Sequence, residues 1–147
     1  MNPWIGGTHN RTLAVLVVLS RTRSLDELMQ LIPTRPDKMW QRGASRGREA
    51  GNIHKYSGAQ YQSQVARTAS WAEHLDDLLK RVCPASEALR SFAEQANLED
   101  PRTAAIRLWL YVESKKEATE IEISNRQLQL IAEMGAHLGL STEFIQE

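Results

Sequence analysis

The stretch that decides the fold is residues 103–139, TAAIRLWLYVESKKEATEIEISNRQLQLIAEMGAHLG. Its first part alternates between aliphatic residues and polar or aromatic ones. Successive side chains of a strand point to opposite faces of a sheet, so this alternation is typical of a half-buried strand. We predict that one row of side chains faces the core, namely Ile106, Leu108, Leu110 and Val112.

The second part of the same stretch predicts a hairpin that leads into a helix. Residues 121–123 alternate again and indicate a second half-buried strand, after a turn around Lys115–Glu117. Ser124 and Gln127 have the spacing of a capping box, and apolar residues then recur at helical spacing. We expect Gly139 to end this helix, because glycine readily adopts the left-handed conformation found after helices.

The rest of the chain supplies further strands and helices. The apolar run Leu13–Leu19 predicts a central strand covered on both faces, and capping boxes at Ser24 and Ser70 begin two more helical regions. The second of these regions is divided at Pro84. The predicted order is β-α-β-β-α(α)-β-β-α-β, with strands near residues 13–19, 38–42, 61–67, 106–112, 121–123 and 140–146.

This order predicts a single α+β domain. A chain of 147 residues can bury one core and is short for two. We expect an antiparallel or mixed sheet with helices mainly on one face, and ferredoxin-like β-α-β-β-α-β arrangements in both halves. Residues 1–10 are expected to form a flexible arm, and residues 11–147 the domain, with a basic glycine-rich loop at residues 43–58.

Composition narrows the class of protein. The chain is 41% hydrophobic and 24% charged, which is ordinary for a globular domain. Cys83 is the single cysteine, so an intrachain disulfide is excluded and a reducing compartment is favoured. The run Leu13–Leu19 is too short to span a bilayer and lacks the flanks of a signal peptide, so we expect no membrane association and a cytoplasmic location.

Charge is unevenly distributed although the formal net charge is zero. Residues 1–67 contain ten Lys or Arg against four Asp or Glu, and the remainder contains eight against fourteen. A basic first half and an acidic second half can steer charged partners, but they say little about fold.

Several short motifs carry a family resemblance: Ser24–Leu28, Leu31–Pro33, Trp40–Gly43, Trp71–Leu79 with Pro84, Ile106–Val112, and Ile121–Ser124 leading into Leu128–Gly139. On these motifs the sequence resembles the bacterial family numbered 4279 among the domains of unknown function. The resemblance implies a fold and no catalytic residues. Some small bacterial domains of this kind look like immunity proteins that neutralise a toxin, which is an analogy of fold and size.

The sequence contains no strong catalytic or metal-binding motif. His74 lies near Asp77 on a predicted helix but lacks the His-Glu-x-x-His spacing of zinc helices, so we expect it on a solvated helix face. The glycine-rich loop lacks a P-loop ending. Cys83 follows a helix, where the dipole opposes a thiolate. We therefore predict no metal, no cofactor and no enzymatic activity, and a small enzyme with an unrecognised site is the remaining alternative.

Nucleic-acid binding is a second alternative. The segment Arg35–Arg67 is basic, and Trp40, Tyr56 and Tyr61 within it could stack on bases. Against this interpretation, the isoelectric point is about 6.9 and no RNA-recognition signature is present. The candidate nucleic-acid contacts are Arg42, Arg46, Arg48 and Lys55.

The leading hypothesis is a non-catalytic protein-binding module of the immunity or antitoxin type, which occludes a partner toxin or effector enzyme. Arg107, Trp109 and Tyr111 lie opposite the aliphatic row, where either a second helical layer covers them or they anchor a partner. Carboxylates on the predicted hairpin would meet a basic enzyme cleft. These acidic candidates are Glu113, Glu117, Glu120 and Glu122.

Overall fold

The computed structural model describes residues 12–32, 34–45, 51, 53–101, 105–114 and 120–144. The strands are β1 (Thr12–Ser20), β2 (Lys38–Trp40), β3 (Ser57–Gln62), β4 (Ile106–Ser114) and β5 (His137–Phe144). The helices are α1 (Leu25–Leu31), α2 (Trp71–Val82), α3 (Ser86–Glu99) and α4 (Asn125–Glu133), with a 3₁₀ turn at Cys83–Ala85 between α2 and α3.

The strands form one mixed sheet in the order β2-β3-β1-β4-β5. Strand β1 is antiparallel to both of its neighbours, β3 and β4, whereas β5 is parallel to β4. The elements from β1 to β4 follow the β-α-β-β-α-β order expected for the first half of the chain. A parallel neighbour requires a crossover connection, and α4 lies within the one that brings β5 beside β4. The predicted α+β class is confirmed.

In the described part of the chain, the core lies between the sheet and one layer of helices. Leu108 and Leu110 are fully buried, so the aliphatic row of β4 faces the core as predicted. Leu16 of β1 lies in the same cluster, and each of the four helices contributes to it, for example Leu75 of α2 and Ile131 of α4. The described helices therefore share one face of the sheet. None of them contributes to the opposite face.

The predicted hairpin is wrong. Residues 120–124 form no strand, and the neighbours of β4 are β1 and β5. Residues 115–119, where the turn was placed, lie outside the described residues. Ile121 and Ile123 nevertheless pack against the core while Glu120 and Glu122 are exposed. An extended connection laid over a core produces the same alternation as a strand, which explains the error.

Other boundaries also differ from the predictions; for example, the strand predicted at residues 140–146 is β5, His137–Phe144. Helix α4 ends at Glu133, and Gly135 takes the left-handed conformation with φ of +70°. Gly139, predicted to end the helix, lies inside β5 instead. The strand predicted at residues 61–67 is β3, Ser57–Gln62, which begins and ends earlier.

An ion pair fastens the loop before β2 to the end of β3 and to α2. Arg81 Nη1 lies 2.6 Å from Asp37 Oδ2 and also donates to the Gln62 carbonyl at 3.0 Å. The Gln62 N–H in turn donates to the Asp37 carboxylate at 2.8 Å. Burial raises the pKa of Asp37, but the hydrogen bonds from Arg81 and Gln62 outweigh it and hold that pKa below 3.8.

Replacing Leu108 with alanine tests the position of the core. Because Leu108 is fully buried between sheet and helices, we expect Leu108→Ala to lower the free energy of unfolding by about 2–5 kcal/mol. The matched control is Leu98→Ala on α3, where the side chain is 86% exposed, and its effect should stay within about 0.5 kcal/mol. Urea denaturation measures both, and equal losses would contradict the assignment of the core.

Candidate protein-binding face

The sheet surface opposite the helical layer is called the open face. Strand β4 presents Arg107, Trp109, Tyr111 and Glu113 on this face, in alternation with its buried aliphatic row, and all four side chains are partly exposed. No helix among the described residues packs against them, since those helices belong to the core cluster on the other side. The sequence allowed either a second helical layer over these residues or a partner-binding face. Within the described part of the chain, no second helical layer is found.

The Trp109 ring lies flat across the neighbouring strand. The register places Trp109 beside Gly139 of β5, and a Cβ atom at Gly139 would overlap the Cε3 and Cζ3 atoms of the indole. The rings of Trp109 and Tyr111 have centroids 6.2 Å apart and an interplanar angle of 34°. The two rings therefore form one continuous aromatic surface, and a glycine makes the space for it.

A second tryptophan–glycine pair lies at the opposite end of the sheet. The Trp40 ring lies over Gly58 and leaves no room there for a side chain. His54 stacks on this indole with a centroid distance of 5.7 Å and an angle of 28°. Trp40 is thus engaged with the base of its own loop, where the His54 N–H donates to the Ala44 carbonyl at 3.0 Å.

Two aliphatic residues of β1 point to the same face of the sheet, but their side chains are buried. Val15 lies beside Trp109 and Leu13 beside Tyr111 in the register, and the two aliphatic side chains are only 5% and 8% exposed. Arg107 precedes the two aromatic rings along β4 and Glu113 follows them. An apolar centre with charged residues at its margin is the usual anatomy of a protein interface.

The four predicted acidic residues do not form one surface on a hairpin. Glu113 lies on the open face, while Glu120 and Glu122 are exposed in the connection before α4. Glu122 lines a groove of about 970 Å³ between α2 and α4, which belongs to the helical layer. Glu117 lies outside the described residues.

The predicted basic set is only partly described. Arg42 and Lys55 are exposed, whereas Arg46 and Arg48 lie outside the described residues. The Arg42 guanidinium donates to the Arg21 carbonyl at 2.7 Å, so this cation already has a structural partner.

His74 is a fully buried residue and does not lie on the solvated helix face that the sequence suggested. Its Nδ1 atom lies 2.7 Å from the Ser63 hydroxyl, which also accepts a hydrogen bond from the Ala14 N–H at 3.1 Å. With its oxygen accepting from Ala14, the Ser63 hydroxyl can donate its proton to Nδ1. This pair joins α2 to the central strands.

The acidic residues near His74 each have a structural role. Glu73 closes the capping box with Ser70, Asp77 accepts from the Gln64 N–H at 2.7 Å, and Asp76 accepts from the Gln127 amide at 2.8 Å. Burial raises the pKa of the Cys83 thiol. No group of three or more His, Cys, Asp or Glu side chains in the described ranges is arranged to hold a metal ion.

Sequence reasoning identified Arg107, Trp109 and Tyr111 as a row but missed Gly139, which lets the indole lie flat. The sequence did contain a signal for this role, because Gly139 lies two residues after His137 in a segment that could have been assigned as a strand. Glycine within a strand commonly marks close approach of another group.

Comparison with known proteins identifies the family. Residues 9–144 match the family profile described as Domain of unknown function (DUF4279). The chain belongs to the DUF4279 family. The match spans every described element from β1 to β5 and confirms the resemblance. No curated protein and no solved structure matches the chain. Within the described residues of this DUF4279 domain, no helix has the length and apolar character to cross a membrane.

Adding a single methyl group at Gly139 tests its contact with Trp109. Gly139→Ala must displace the indole, so we expect a loss of about 1–3 kcal/mol in the free energy of unfolding. The indole N–H resonance of Trp109, assigned with Trp109→Phe, should shift as well. Ser141→Ala, two residues along the same strand and exposed, is the matched control. An unmoved Trp109 resonance would contradict the packing.

The buried His74 makes a prediction about pH. Burial lowers the pKa of His74 below 6.5, despite opposing effects of the Ala66 carbonyl and Asp77. The unfolded chain therefore binds more protons, and stability is full above about pH 6.5 and falls as the pH drops towards the folded-state pKa. We expect the free energy of unfolding to decrease between about pH 7.5 and pH 5.

His74→Asn keeps an acceptor for Ser63 and removes the titrating group, so the decrease with falling pH should become smaller. His137→Asn, at an exposed position, serves as the control and should leave the decrease unchanged. Identical pH profiles for His74→Asn and the parent chain would show that His74 is not responsible.

Proposed function

We propose that this chain is a non-catalytic protein-binding module of the immunity or antitoxin type, which inhibits a partner enzyme by covering its active site. The observation that carries the proposal is the open face itself. Trp109, Tyr111 and Arg107 stand side by side on one strand, partly exposed, with no described helix over them.

The residue types favour a protein partner. Tryptophan, tyrosine and arginine are the residues that most often dominate the binding free energy of protein interfaces. The apolar area here comes from the two aromatic rings, because their neighbours on β1, Leu13 and Val15, are themselves buried. A strand face of this kind suits a macromolecule, whereas small ligands are usually bound in concave pockets.

The geometry also favours tight binding. Strand β4 is held on one side by β1 and on the other by β5, so its backbone is fixed before any partner arrives. The Trp109 ring is already seated over Gly139. Little side-chain entropy is then lost on association, which leaves more of the contact free energy for affinity.

The proposed mechanism is steric and electrostatic. The aromatic rings would contact the rim of the partner's cleft, while Glu113 on the same face would meet basic residues there. Exposed Glu120 and Glu122 would contribute to the attraction at longer range, since they lie on the neighbouring connection. No chemical step is required of this chain.

Nucleic-acid binding has weaker support. Arg42, one of its candidate contacts, is engaged with the Arg21 carbonyl, and the formal net charge of the chain is zero. Phosphate contacts normally require a concentration of free cations. The exposed Trp109 ring could still stack on a base, and the experiment below separates the two functions.

The test is site-specific photo-crosslinking in cells that naturally produce the chain. A benzophenone amino acid replaces Tyr111 on the open face or, as the matched control, Leu98 on α3, which is 86% exposed. We expect a protein that crosslinks from position 111 and not from position 98. Mass spectrometry identifies it, and the purified protein is then titrated with the chain.

In that titration we expect Trp109→Ala to weaken binding by about tenfold or more, as for a central interface aromatic, and Leu98→Ala to have no effect. Arg107→Ala is a second variant that should also weaken binding, and circular dichroism checks the fold of both variants. If the partner is an enzyme, one equivalent of the chain should abolish its activity. Equal crosslinking from both positions, or salt-sensitive binding of single-stranded RNA lost in Trp109→Ala, would contradict the proposal.

A further inference from the structure

The two edges of the sheet are built differently. Strand β2 has three residues, carries Lys38 and follows Pro36, all features that discourage pairing with another strand. Strand β5, His137–Phe144, has eight residues, contains no proline, lysine or arginine, and keeps an unbroken register with β4. Its sequence thus lacks the proline and lysine that commonly protect an edge strand.

Four of the side chains that the structure describes in β5 are exposed to solvent. Leu140 belongs to the same row as Leu110 in the register, yet it is 48% exposed while Leu110 is fully buried. His137, Ser141 and Thr142 are exposed as well. Among the described residues β5 pairs with β4 alone, so alternate N–H and C=O groups along it are directed to the outer edge.

We infer that β5 pairs with β5 of a second copy of this chain, as an antiparallel dimer whose two-fold axis passes beside Leu140. Paired residues must lie on the same face of the joined sheet. A two-fold axis must therefore pass beside one residue, which faces the same residue of the other copy. The register centred on Leu140 uses seven of the eight residues of the strand. It brings the exposed Leu140 side chains of the two copies together.

The sequence of β5 is self-complementary in this register. It sets Leu138 opposite Thr142, Gly139 opposite Ser141, and His137 opposite position 143, which is a glutamate. No two like charges meet, and the small pair at Gly139 leaves the Trp109 ring undisturbed. A formal net charge of zero also means that two copies do not repel each other overall.

The test is the association state of the purified full chain by sedimentation velocity over a concentration series. We expect a reversible dimer for the parent chain. Leu140→Lys and Leu140→Glu each set two like charges opposite one another across the axis, so each should raise the dimer dissociation constant by about tenfold or more. Mixed in equal amounts, the two variants should dimerise again, because lysine then faces glutamate.

Leu98→Lys, which adds the same charge at an exposed position on α3, is the matched control and should dimerise like the parent. A second measurement uses the parent chain alone. Because pairing would protect the outer N–H groups of β5, hydrogen-exchange protection of residues 137–144 should rise with protein concentration. A parent chain that stays monomeric at every concentration would overturn the inference. A dimer that is insensitive to Leu140→Lys, or mixed variants that stay monomeric, would overturn it as well.

Discussion

The constraint on which the structure depends is that the described helices cover one face of the sheet only. Each helix buries a single apolar stripe, and these stripes meet the aliphatic rows of β1 and β4 in one cluster. The sheet is five strands wide, so its second face must limit its own contact with water. It does so with large flat rings, Trp109 and Trp40, each lying across a glycine of the adjacent strand. The open face is thus a consequence of how the core is built.

The local part of this fold could be predicted from the sequence, and the non-local part could not. The alternation in β4 and the capping boxes at Ser70 and Ser124 depend on neighbouring residues, and the structure contains them. One partner of β4 is β1, about ninety residues earlier, and alternation does not say which strands pair. The hairpin prediction therefore failed at residues 121–123, although the predicted partial burial of Ile121 and Ile123 was correct. The end of α4 failed for a related reason, because either Gly135 or Gly139 satisfies the local rule for ending a helix.

The candidate site shows the same division. Arg107, Trp109 and Tyr111 follow from alternation along one strand, because residues two apart share a face. Whether that face was covered depended on how the helices of the whole chain were distributed, which no local pattern reports. The predicted acidic set depended on the hairpin, so it divided between the open face and the connection before α4 once the hairpin was replaced. His74 was misplaced on a solvated face, because the rotation of α2 is decided by tertiary packing.

Strand β5 connects the two surfaces that the proposals use. Gly139 supports the Trp109 ring on the open face, and the outer edge of the same strand is the proposed dimer contact. A two-fold axis perpendicular to the joined sheet keeps both open faces on the same side. The two β4 strands would then be separated by three strand spacings, roughly 14 Å. A dimer would therefore present two aromatic surfaces to one partner, or to two partners side by side. Because the edge and the face involve different side chains, dimerisation and partner binding can be changed independently. Dimerisation would then strengthen binding by letting both open faces contact a partner at once, which is avidity. The affinity of each single face would not change.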